Sequence, residues 1–348
     1  MKTVPFGSLI RPTDEAYGFE MDEYWLWCGS AVEGEDGRWH MFSARWPKTL
    51  PFFNGYVTAS EIVHASSDGP YGPYRFEDVV LPDRGESYWD GRMTHNPSVV
   101  KHGDTYAIYY IGSHYHGRRP DFEALTQTQC AAVGECYGNI RIGVATSRSV
   151  YGPWERRDHP VFEPAERGWD STIVTNPAPC VLDDGSVYLF YRSNTPSGMK
   201  IGVAKAPSFS DRFTRVVDHP LFQKFDGMVI EDVFVWSNGD HFEMIAKDCN
   251  GKLCGEKWGG VHFVSRDGIR WDAADPITAY SRTVRFRDGR SVEAYHLERP
   301  NVTFKNGAPY FISFAYGVGG GTTYAYGNQN FDAMTRSKTL IVPLSHDT

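Results

Sequence analysis

Apolar and polar positions alternate in short runs along the chain, and one arrangement of these runs occurs five times. Each copy has an apolar run opened by polar residues, then a turn with glycine, then a second run rich in aromatic and β-branched residues. The first runs are WCGSAV (27–32), HNPSVV (95–100), TNPAPCVL (175–182), IEDVFVW (230–236) and LERPNVTF (297–304), and the turns are GEDG, HGD, DDG, NGD and KNG. Asp-Gly and Asn-Gly favour hairpins because these residues accept a positive φ angle. The pattern therefore predicts five antiparallel hairpins.

A third run extends four of these hairpins, while no segment keeps helical apolar spacing over three turns. The third runs are EIVHASSDGPYGPY, IRIGVATSRSVYGPW, MKIGVAKAPSFSDRF and GVHFVSRDGIRW, and the fifth copy is expected around TTYAYGNQNFD and TLIVPL. Five repeats of three to four strands predict an all-β chain folded as a single five-bladed β-propeller. We expect one domain over 1–348, whose termini meet to close the ring, with blades near 20–80, 85–160, 165–220, 224–280 and 290–340.

Composition narrows the expected partners. The formal net charge is −8, which argues against nucleic acid, because phosphates require a basic surface. No apolar run approaches the ~18 residues needed to cross a bilayer, so we expect no membrane partner. The first residues do not resemble a secretory signal, which favours a cytoplasmic location and free thiols for the six cysteines. The histidines and cysteines lack ligand spacing, so neither a metal nor another cofactor is expected.

The polar residues that open the five first strands are the strongest candidates for a functional site. The first strand of a propeller blade faces the central axis, and ligands bind at one end of the axial funnel. The five pairs are Cys28-Gly29, His95-Asn96, Thr175-Asn176, Glu231-Asp232 and Glu298-Arg299. Unpaired buried carboxylates are costly, which favours a functional role for Glu231, Asp232 and Glu298. The alternative is a ring of polar residues that hydrogen-bond neighbouring blades.

Cations and a second acidic pattern accompany these pairs. The second strands end in Arg45, Arg192 and Lys247, which together with Arg299 could bind a carboxylate such as that of a uronic acid. Alternatively, these cations neutralise the acids of the funnel itself. An aromatic residue and an aspartate precede three of the first strands, as Trp89-Asp90, Trp169-Asp170 and Phe225-Asp226. These aspartates are interpreted either as acids at the funnel rim or, preferably, as turn caps.

Several of these segments resemble a known group of enzymes. ATSRSVYGPWERRDHPVF, the Asn-Pro first strands and IEDVFVW are similar to glycoside hydrolase family 43 propellers, whose architecture neoagarobiose hydrolases and invertase-like enzymes share. The resemblance implies a base from an Asp-Pro in the first blade, a pKa-tuning Asp-Pro in the third, and a glutamic acid in the fourth. Glu231 matches the acid, whereas Asn176 stands at the tuning position and Gly29 at that of the base. The other candidates for the base are Asp22, Glu23, Asp232 and Glu298.

These observations predict a carbohydrate-active enzyme that hydrolyses a glycosidic bond in the axial funnel, on a glycan that is acidic if the cations bind substrate. The predicted catalytic residues are Glu231, Glu298 and Asp232, and the predicted substrate-binding residues are Trp27, Arg45, His95, Asn96, Asn176, Arg192, Lys247 and Arg299. Glycoside cleavage needs one carboxylic acid and one carboxylate, which Glu231 and Glu298 can supply from adjacent blades. The alternatives are a polysaccharide lyase, in which a His or Tyr abstracts the proton beside a uronate carboxylate, and a non-catalytic sugar-binding propeller.

Overall fold

The computed structural model describes residues 3–127, 129–225, 227–319 and 334–345, and its strands form five small antiparallel sheets and one hairpin. The first three sheets comprise β1 (Tyr24–Glu33), β2 (Trp39–Pro47), β3 (Glu61–Ser67) and β4 (Arg75–Leu81); β5 (Met93–His102), β6 (Thr105–Ser113), β7 (Arg141–Ser147) and β8 (Glu155–Arg156); and β9 (Thr175–Val181), β10 (Val187–Thr195), β11 (Gly198–Ala206) and β12 (Thr214–Arg215). The fourth sheet comprises β13 (Ile230–Ser237), β14 (Phe242–Asp248), β15 (Gly259–Ser265) and β16 (Asp272–Tyr280). The hairpin β17 (Thr283–Arg285) and β18 (Ser291–Glu293) precedes the fifth sheet, which comprises β19 (His296–Lys305), β20 (Ala308–Gly319) and β21 (Met334–Pro343).

The first strands of the five sheets surround a common axis. β1 contacts β5, β5 contacts β9, β9 contacts β13, β13 contacts β19, and β19 contacts β1 again. Neighbouring sheets bury their apolar faces against each other, as Tyr109 of the second sheet and Leu189 of the third do in one cluster. Because the contacts return to the starting strand, the sheets form a closed ring. The predicted all-β, five-bladed propeller is thereby confirmed.

The amino-terminal segment completes the fifth blade. Phe19 and Thr339 of β21 exchange backbone hydrogen bonds of 3.0 and 2.9 Å, and Ile10 forms an antiparallel bridge with Leu344. A short helix, α1 (Phe6–Leu9), lies before these pairings. The two ends of the described chain therefore meet in one blade. The predicted strand TTYAYGNQNFD and Asp226 lie outside the described residues.

Three further short helices stand over the first three blades. They are α2 (Phe52–Ala59), between β2 and β3, and α3 (Phe122–Thr126) and α4 (Ala131–Gly138), which lie between β6 and β7. Asn54 of α2 donates to the Leu125 carbonyl at 2.6 Å, and Tyr137 of α4 accepts a hydrogen bond from Asn194 of the third blade at 3.1 Å. No helix of the described residues could span a membrane. All six cysteines are free thiols, as expected.

Asp90 and Asp170, the two described aspartates that follow an aromatic residue before a blade, are neither rim acids nor turn caps. Asp170 is buried and accepts hydrogen bonds of 2.7 Å from the hydroxyl of Tyr191 and from Nε of Arg215. Asp90 accepts the same 2.7 Å hydrogen bond from Tyr110. Each carboxylate therefore links the segment that precedes a blade to the second strand of that blade. Their role in this structure is to hold strands together.

Asp170→Asn is expected to lower the free energy of unfolding by about 1.5–3 kcal/mol, because a buried charged acceptor is lost while Arg215 and Tyr191 remain. Chemical denaturation monitored by tryptophan fluorescence would measure this change. Asp218→Asn, at an exposed position between the third and fourth blades, is the matched control and should change stability by less than about 0.5 kcal/mol. Equal effects of the two substitutions would contradict the assigned role of Asp170.

Candidate functional site

Each first strand carries one residue with a positive φ angle at the same place. These residues are Cys28, Asn96, Asn176, Asp232 and Arg299, with φ between 52° and 58°. The pairing between the first and second strand shifts register at each of these places. Such bulges bend a strand and redirect its side chains. The five bulges therefore give equivalent positions around the axis.

The side chains at these positions form a hydrogen-bonded chain around the axis, here called the axial ring. Cys28 Sγ donates to Asn96 Oδ1 at 2.8 Å, Asn96 Nδ2 to Asn176 Oδ1 at 2.9 Å, and Asn176 Nδ2 to Asp232 Oδ1 at 2.9 Å. Arg299 donates its backbone N–H to Asp232 Oδ2 at 3.1 Å and Nη1 to Oδ1 at 3.3 Å. Burial raises the pKa of the Cys28 thiol, so it stays protonated and can donate. Asn96 and Asn176 thus act as links between blades.

The axial ring corrects the predicted position of the base. Cys28, not Gly29, is equivalent to Asn176, because both carry the positive φ angle. A side chain at position 29 would collide with Thr339, whose Cγ2 would lie 2.3 Å from an added Cβ. Asp22 and Glu23 are exposed just before β1. The first blade therefore brings no carboxylate to the axis at these positions.

The residues immediately before the axial ring, together with their second-strand partners, form a layer that we call the funnel floor. The pairs are Trp27 with Ala44, His95 with Ile111, Thr175 with Arg192, Glu231 with Lys247, and Glu298 with Ala315. The first two blades contribute aromatic and apolar side chains, whereas the third to fifth blades contribute all the charged ones. One half of the floor is therefore apolar and the other half charged.

Arg45 does not belong to this floor, contrary to the prediction. It lies one residue beyond Ala44, which is the true partner of Trp27, and successive side chains of a strand point to opposite faces. Its guanidinium pairs with Glu61 at 2.8 Å and lies 4.2 Å from the centre of the Tyr24 ring. The displacement by one residue thus places Arg45 on the other face of the first blade.

The charged half of the floor is organised around Lys247. Its ammonium lies 2.9 Å from Glu231 Oε2, 3.2 Å from Asp232 Oδ2 and 3.4 Å from Glu298 Oε1. Arg192 Nη1 donates to the other oxygen of Glu231. Lys247 is 3% exposed and Arg192 is 7% exposed, so these ion pairs are shielded from water. The structure therefore brings both predicted glutamates to one buried cation.

Charge interactions set the protonation states in this half. Burial works against the charge of Lys247, but Asp232, Glu231 and Glu298 outweigh it and raise the lysine pKa well above its usual value. Burial also works against ionised Glu298, yet Lys247 and a hydrogen bond with His296 lower the pKa of Glu298 to about 2. His296 Nδ1 lies 3.1 Å from Glu298 Oε1. Glu298 is therefore a carboxylate at neutral pH.

Asp232 contacts the same lysine although it is adjacent to Glu231 in the strand. Strand alternation places neighbouring side chains on opposite faces, but the positive φ of 54° at Asp232 breaks that alternation. Both of its oxygens are occupied by Asn176, Arg299 and Lys247. The carboxylate is a member of the axial ring. This geometry favours a supporting role over the predicted catalytic one.

The apolar half of the floor is built on aromatic contacts. The Trp27 ring packs edge-on against Phe52 of α2 at 5.0 Å and against His296 at 5.8 Å. His95 stacks on Tyr56 at 4.6 Å, and its Nδ1 lies 2.8 Å from Ser60 Oγ. Burial and the charge of Arg299 lower the pKa of His95 to about 3, so this imidazole is uncharged at neutral pH. Trp27 and His95 are thus part of the funnel floor, and neither adds charge to it.

Three residues of the site lie outside the predicted catalytic and substrate-binding set. His296 precedes Glu298 by two positions, and strand alternation could have placed both on one face. Tyr137 lies on α4, between β6 and β7 of the second blade, and accepts a hydrogen bond from Asn194 of the third blade. Cys249 Sγ lies 3.8 Å from Glu231 Oε2. Across the described parts of the chain, no group of three or more His, Cys, Asp or Glu residues could hold a metal ion.

Comparison with known proteins supports the fold but not a family. No protein-family model matches the sequence, and no curated protein matches it. Among solved structures, a family 117 glycoside hydrolase from Zobellia galactanivorans is 14% identical with a TM-score of 0.61, covering 97% of this chain and 92% of that one. A family 62 α-L-arabinofuranosidase catalytic domain from Coprinopsis cinerea is 12% identical with a TM-score of 0.59, covering 98% of each chain.

A third solved structure extends the likeness. The α-L-arabinofuranosidase from Lactobacillus brevis is 10% identical with a TM-score of 0.58, covering 98% of this chain and 94% of that one. At such identities the likeness establishes the architecture, because one fold can carry many activities. The resemblance noted in the sequence is confirmed at this level: the chain has the five-bladed propeller fold of glycoside hydrolases.

Proposed function

We propose that the protein hydrolyses a glycosidic bond at the funnel floor, with Glu231 as general acid and Glu298 as the partner carboxylate. The observation that carries this proposal is the shared contact of both glutamates with Lys247, at 2.9 and 3.4 Å. Two carboxyl groups close to one another are what glycoside cleavage requires. Their position at the axis, beside an aromatic wall, suits a sugar ring. The glycoside hydrolases that share the fold add support.

The two carboxyl groups have different tasks. Glu298 is held as a carboxylate by Lys247 and His296, which suits a base or nucleophile. Glu231 has to deliver a proton to the leaving oxygen, yet in this structure its oxygens accept from Arg192 and Lys247. Substrate binding would therefore exchange one of these contacts for the glycosidic oxygen while Glu231 carries a proton. The proton then moves from Glu231 to the leaving group as the bond to the anomeric carbon breaks.

The spacing favours retention of the anomeric configuration. The nearest oxygens of Glu231 and Glu298 lie 2.9 and 3.4 Å from the Lys247 nitrogen, so these two atoms are at most about 6.3 Å apart. Inverting enzymes separate their carboxyl groups by ~6.5–9.5 Å to admit a water molecule, whereas retaining enzymes use ~5–5.5 Å. Glu298 would then attack the anomeric carbon, and Glu231 would activate the water that releases the sugar.

The charge balance favours an uncharged sugar at the floor. Three cations, Arg192, Lys247 and Arg299, are paired with three carboxylates, Glu231, Asp232 and Glu298. A uronate would have to compete with these carboxylates for the same cations. This argument favours a neutral glycoside over an acidic glycan, and it disfavours a lyase, which needs a cation to neutralise the substrate carboxylate.

Matched chromogenic substrates test this proposal. We expect cleavage of aryl glycosides of neutral sugars, with aryl α-L-arabinofuranoside as the first choice because two compared proteins are α-L-arabinofuranosidases. An aryl glucuronide should be a poorer substrate than the aryl glucoside, as measured by kcat/KM. Preferred cleavage of the glucuronide would overturn the neutral-sugar proposal. An ultraviolet-absorbing unsaturated uronate from a polyuronate, or sugar binding without cleavage, would overturn the hydrolase proposal.

A further inference from the structure

We propose that Lys247 is a positioning residue, which holds Glu231 and Glu298 towards one point and keeps Glu298 ionised. This inference rests on the proposed function and concerns the same site. A single ammonium contacts carboxylates from the two neighbouring first strands β13 and β19. Lys247 itself comes from β14, where it is the direct partner of Glu231. Lys247 therefore links the carboxylates of Glu231 and Glu298, whose strands belong to different sheets.

Charged and titratable groups from several strands surround Lys247. The titratable and charged groups around it are Glu231 and Asp232 on β13, Cys249 after β14, Tyr280 on β16, His296, Glu298 and Arg299 on β19, and Arg192 on β10. Of these, Arg192 pairs with Glu231 and Arg299 pairs with Asp232. Glu298 itself contacts Lys247 and His296. Among the lysine and arginine side chains named here, Lys247 is therefore the one that contacts Glu298 directly.

Removing this charge should change the titration of Glu298 in a defined direction. In the wild type the carboxylate form persists down to about pH 2. An opposite charge within ~4–6 Å lowers a carboxyl pKa by about 1–3 units, so its loss should raise the Glu298 pKa by a similar amount. The fraction of active carboxylate would then fall at mildly acidic pH. The acid limb of kcat/KM should therefore move to higher pH.

The experiment compares Lys247→Met and Lys247→Arg with Lys338→Met. Lys338 is a matched control, since it is also buried but its ammonium donates to the Glu15 carbonyl, away from the floor. We expect Lys247→Met to move the acid limb up by about 1–3 pH units. Lys247→Arg keeps the charge but displaces it, so kcat should fall on the order of 10²-fold with the acid limb unchanged. Lys338→Met should alter neither quantity.

Carboxyl-carbon NMR titration of the full-length protein, with labelled glutamate, gives a second readout. Glu298, assigned through Glu298→Gln, should titrate at higher pH in Lys247→Met than in the wild type, even if no glycoside is cleaved. Loss of activity with an unchanged Glu298 titration would overturn the charge role of Lys247 but not the hydrolase proposal. If the wild-type protein cleaves no glycoside but the Glu298 pKa still rises in Lys247→Met, the charge role of Lys247 stands and the hydrolase proposal is overturned. If Lys247→Met does not fold, an unchanged kcat in Lys247→Arg would overturn the positioning role.

Discussion

Glu298→Ala is expected to lower kcat for an aryl glycoside by about 10²–10⁴-fold, because the carboxylate that attacks the anomeric carbon or activates water is gone. The folded protein should still bind substrate, since the aromatic half of the floor and the axial ring remain. Steady-state kinetics on the substrate selected above would measure the change. We expect kcat to fall strongly while KM changes little.

Azide separates the possible roles of Glu298. In the space left by Glu298→Ala, azide can attack the anomeric carbon, and a retaining enzyme should then give a glycosyl azide of inverted configuration. Glu61→Ala is the matched control, because Glu61, like Glu298, is paired with a basic side chain, in this case Arg45 on the opposite face of the first blade. It should keep the wild-type kcat. Unchanged activity of Glu298→Ala would exclude this residue from the reaction.

The repeat pattern was sufficient to predict the propeller because its signals are local. Asp-Gly and Asn-Gly turns and alternating strands are each determined by a few neighbouring residues, and all five copies of the pattern indicate the same strand–turn–strand unit. The closure by the amino-terminal segment could not be located in the same way. Phe19 pairs with Thr339, which is more than 300 positions away, and the repeat pattern does not include the segment around Phe19.

The errors in the site come from single-residue shifts that pattern alone does not show. Arg45 was aligned with Lys247 because both end a second strand, but Ala44 is the residue that faces the axis. Gly29 was placed where Cys28 lies, because the bulge in β1 is not visible in the sequence. A slip of one residue moves a side chain to the other face of a strand. Fold-level repeats therefore define the blades more reliably than they define the register at the axis.

Glu231 and Lys247 were each predicted to line the funnel, where the cations either bind a substrate carboxylate or neutralise the acids of the funnel. Unpaired buried charges are expensive, so a glutamate and a lysine in the innermost strands of one blade are expected to meet. His296 was not included in the predicted site, because no equivalent histidine occurs in the other blades. Asp232 was assigned to catalysis because its membership of the axial ring depends on a positive φ angle. The structure places Glu231, Asp232 and Glu298 around Lys247, and the contacts of Asp232 favour a supporting role over the predicted catalytic one.

Glu231→Gln is expected to slow cleavage of a glycoside with a poor leaving group, such as an alkyl glycoside, by about 10²–10⁴-fold. The reason is that glutamine keeps the shape and can still accept from Arg192 or Lys247, but its amide has no acidic proton to give to the leaving oxygen. Measurement of kcat/KM for alkyl, 4-nitrophenyl and 2,4-dinitrophenyl glycosides of one sugar would give the dependence on the leaving group.

The 2,4-dinitrophenyl glycoside provides the internal control for this variant, because its leaving group needs little protonation. Its bond cleavage should be nearly as fast in Glu231→Gln as in the wild type, so the dependence of rate on the leaving-group pKa becomes steep. If the enzyme retains configuration, azide should accelerate turnover of this substrate by replacing the water that Glu231 activates, and the glycosyl azide should keep the original configuration. That product is the opposite anomer to the one expected from Glu298→Ala, so the pair of variants assigns the two carboxyl groups separately. An equal loss on all three substrates would mean that Glu231 positions the sugar through Arg192 and Lys247 and that the proton comes from another group.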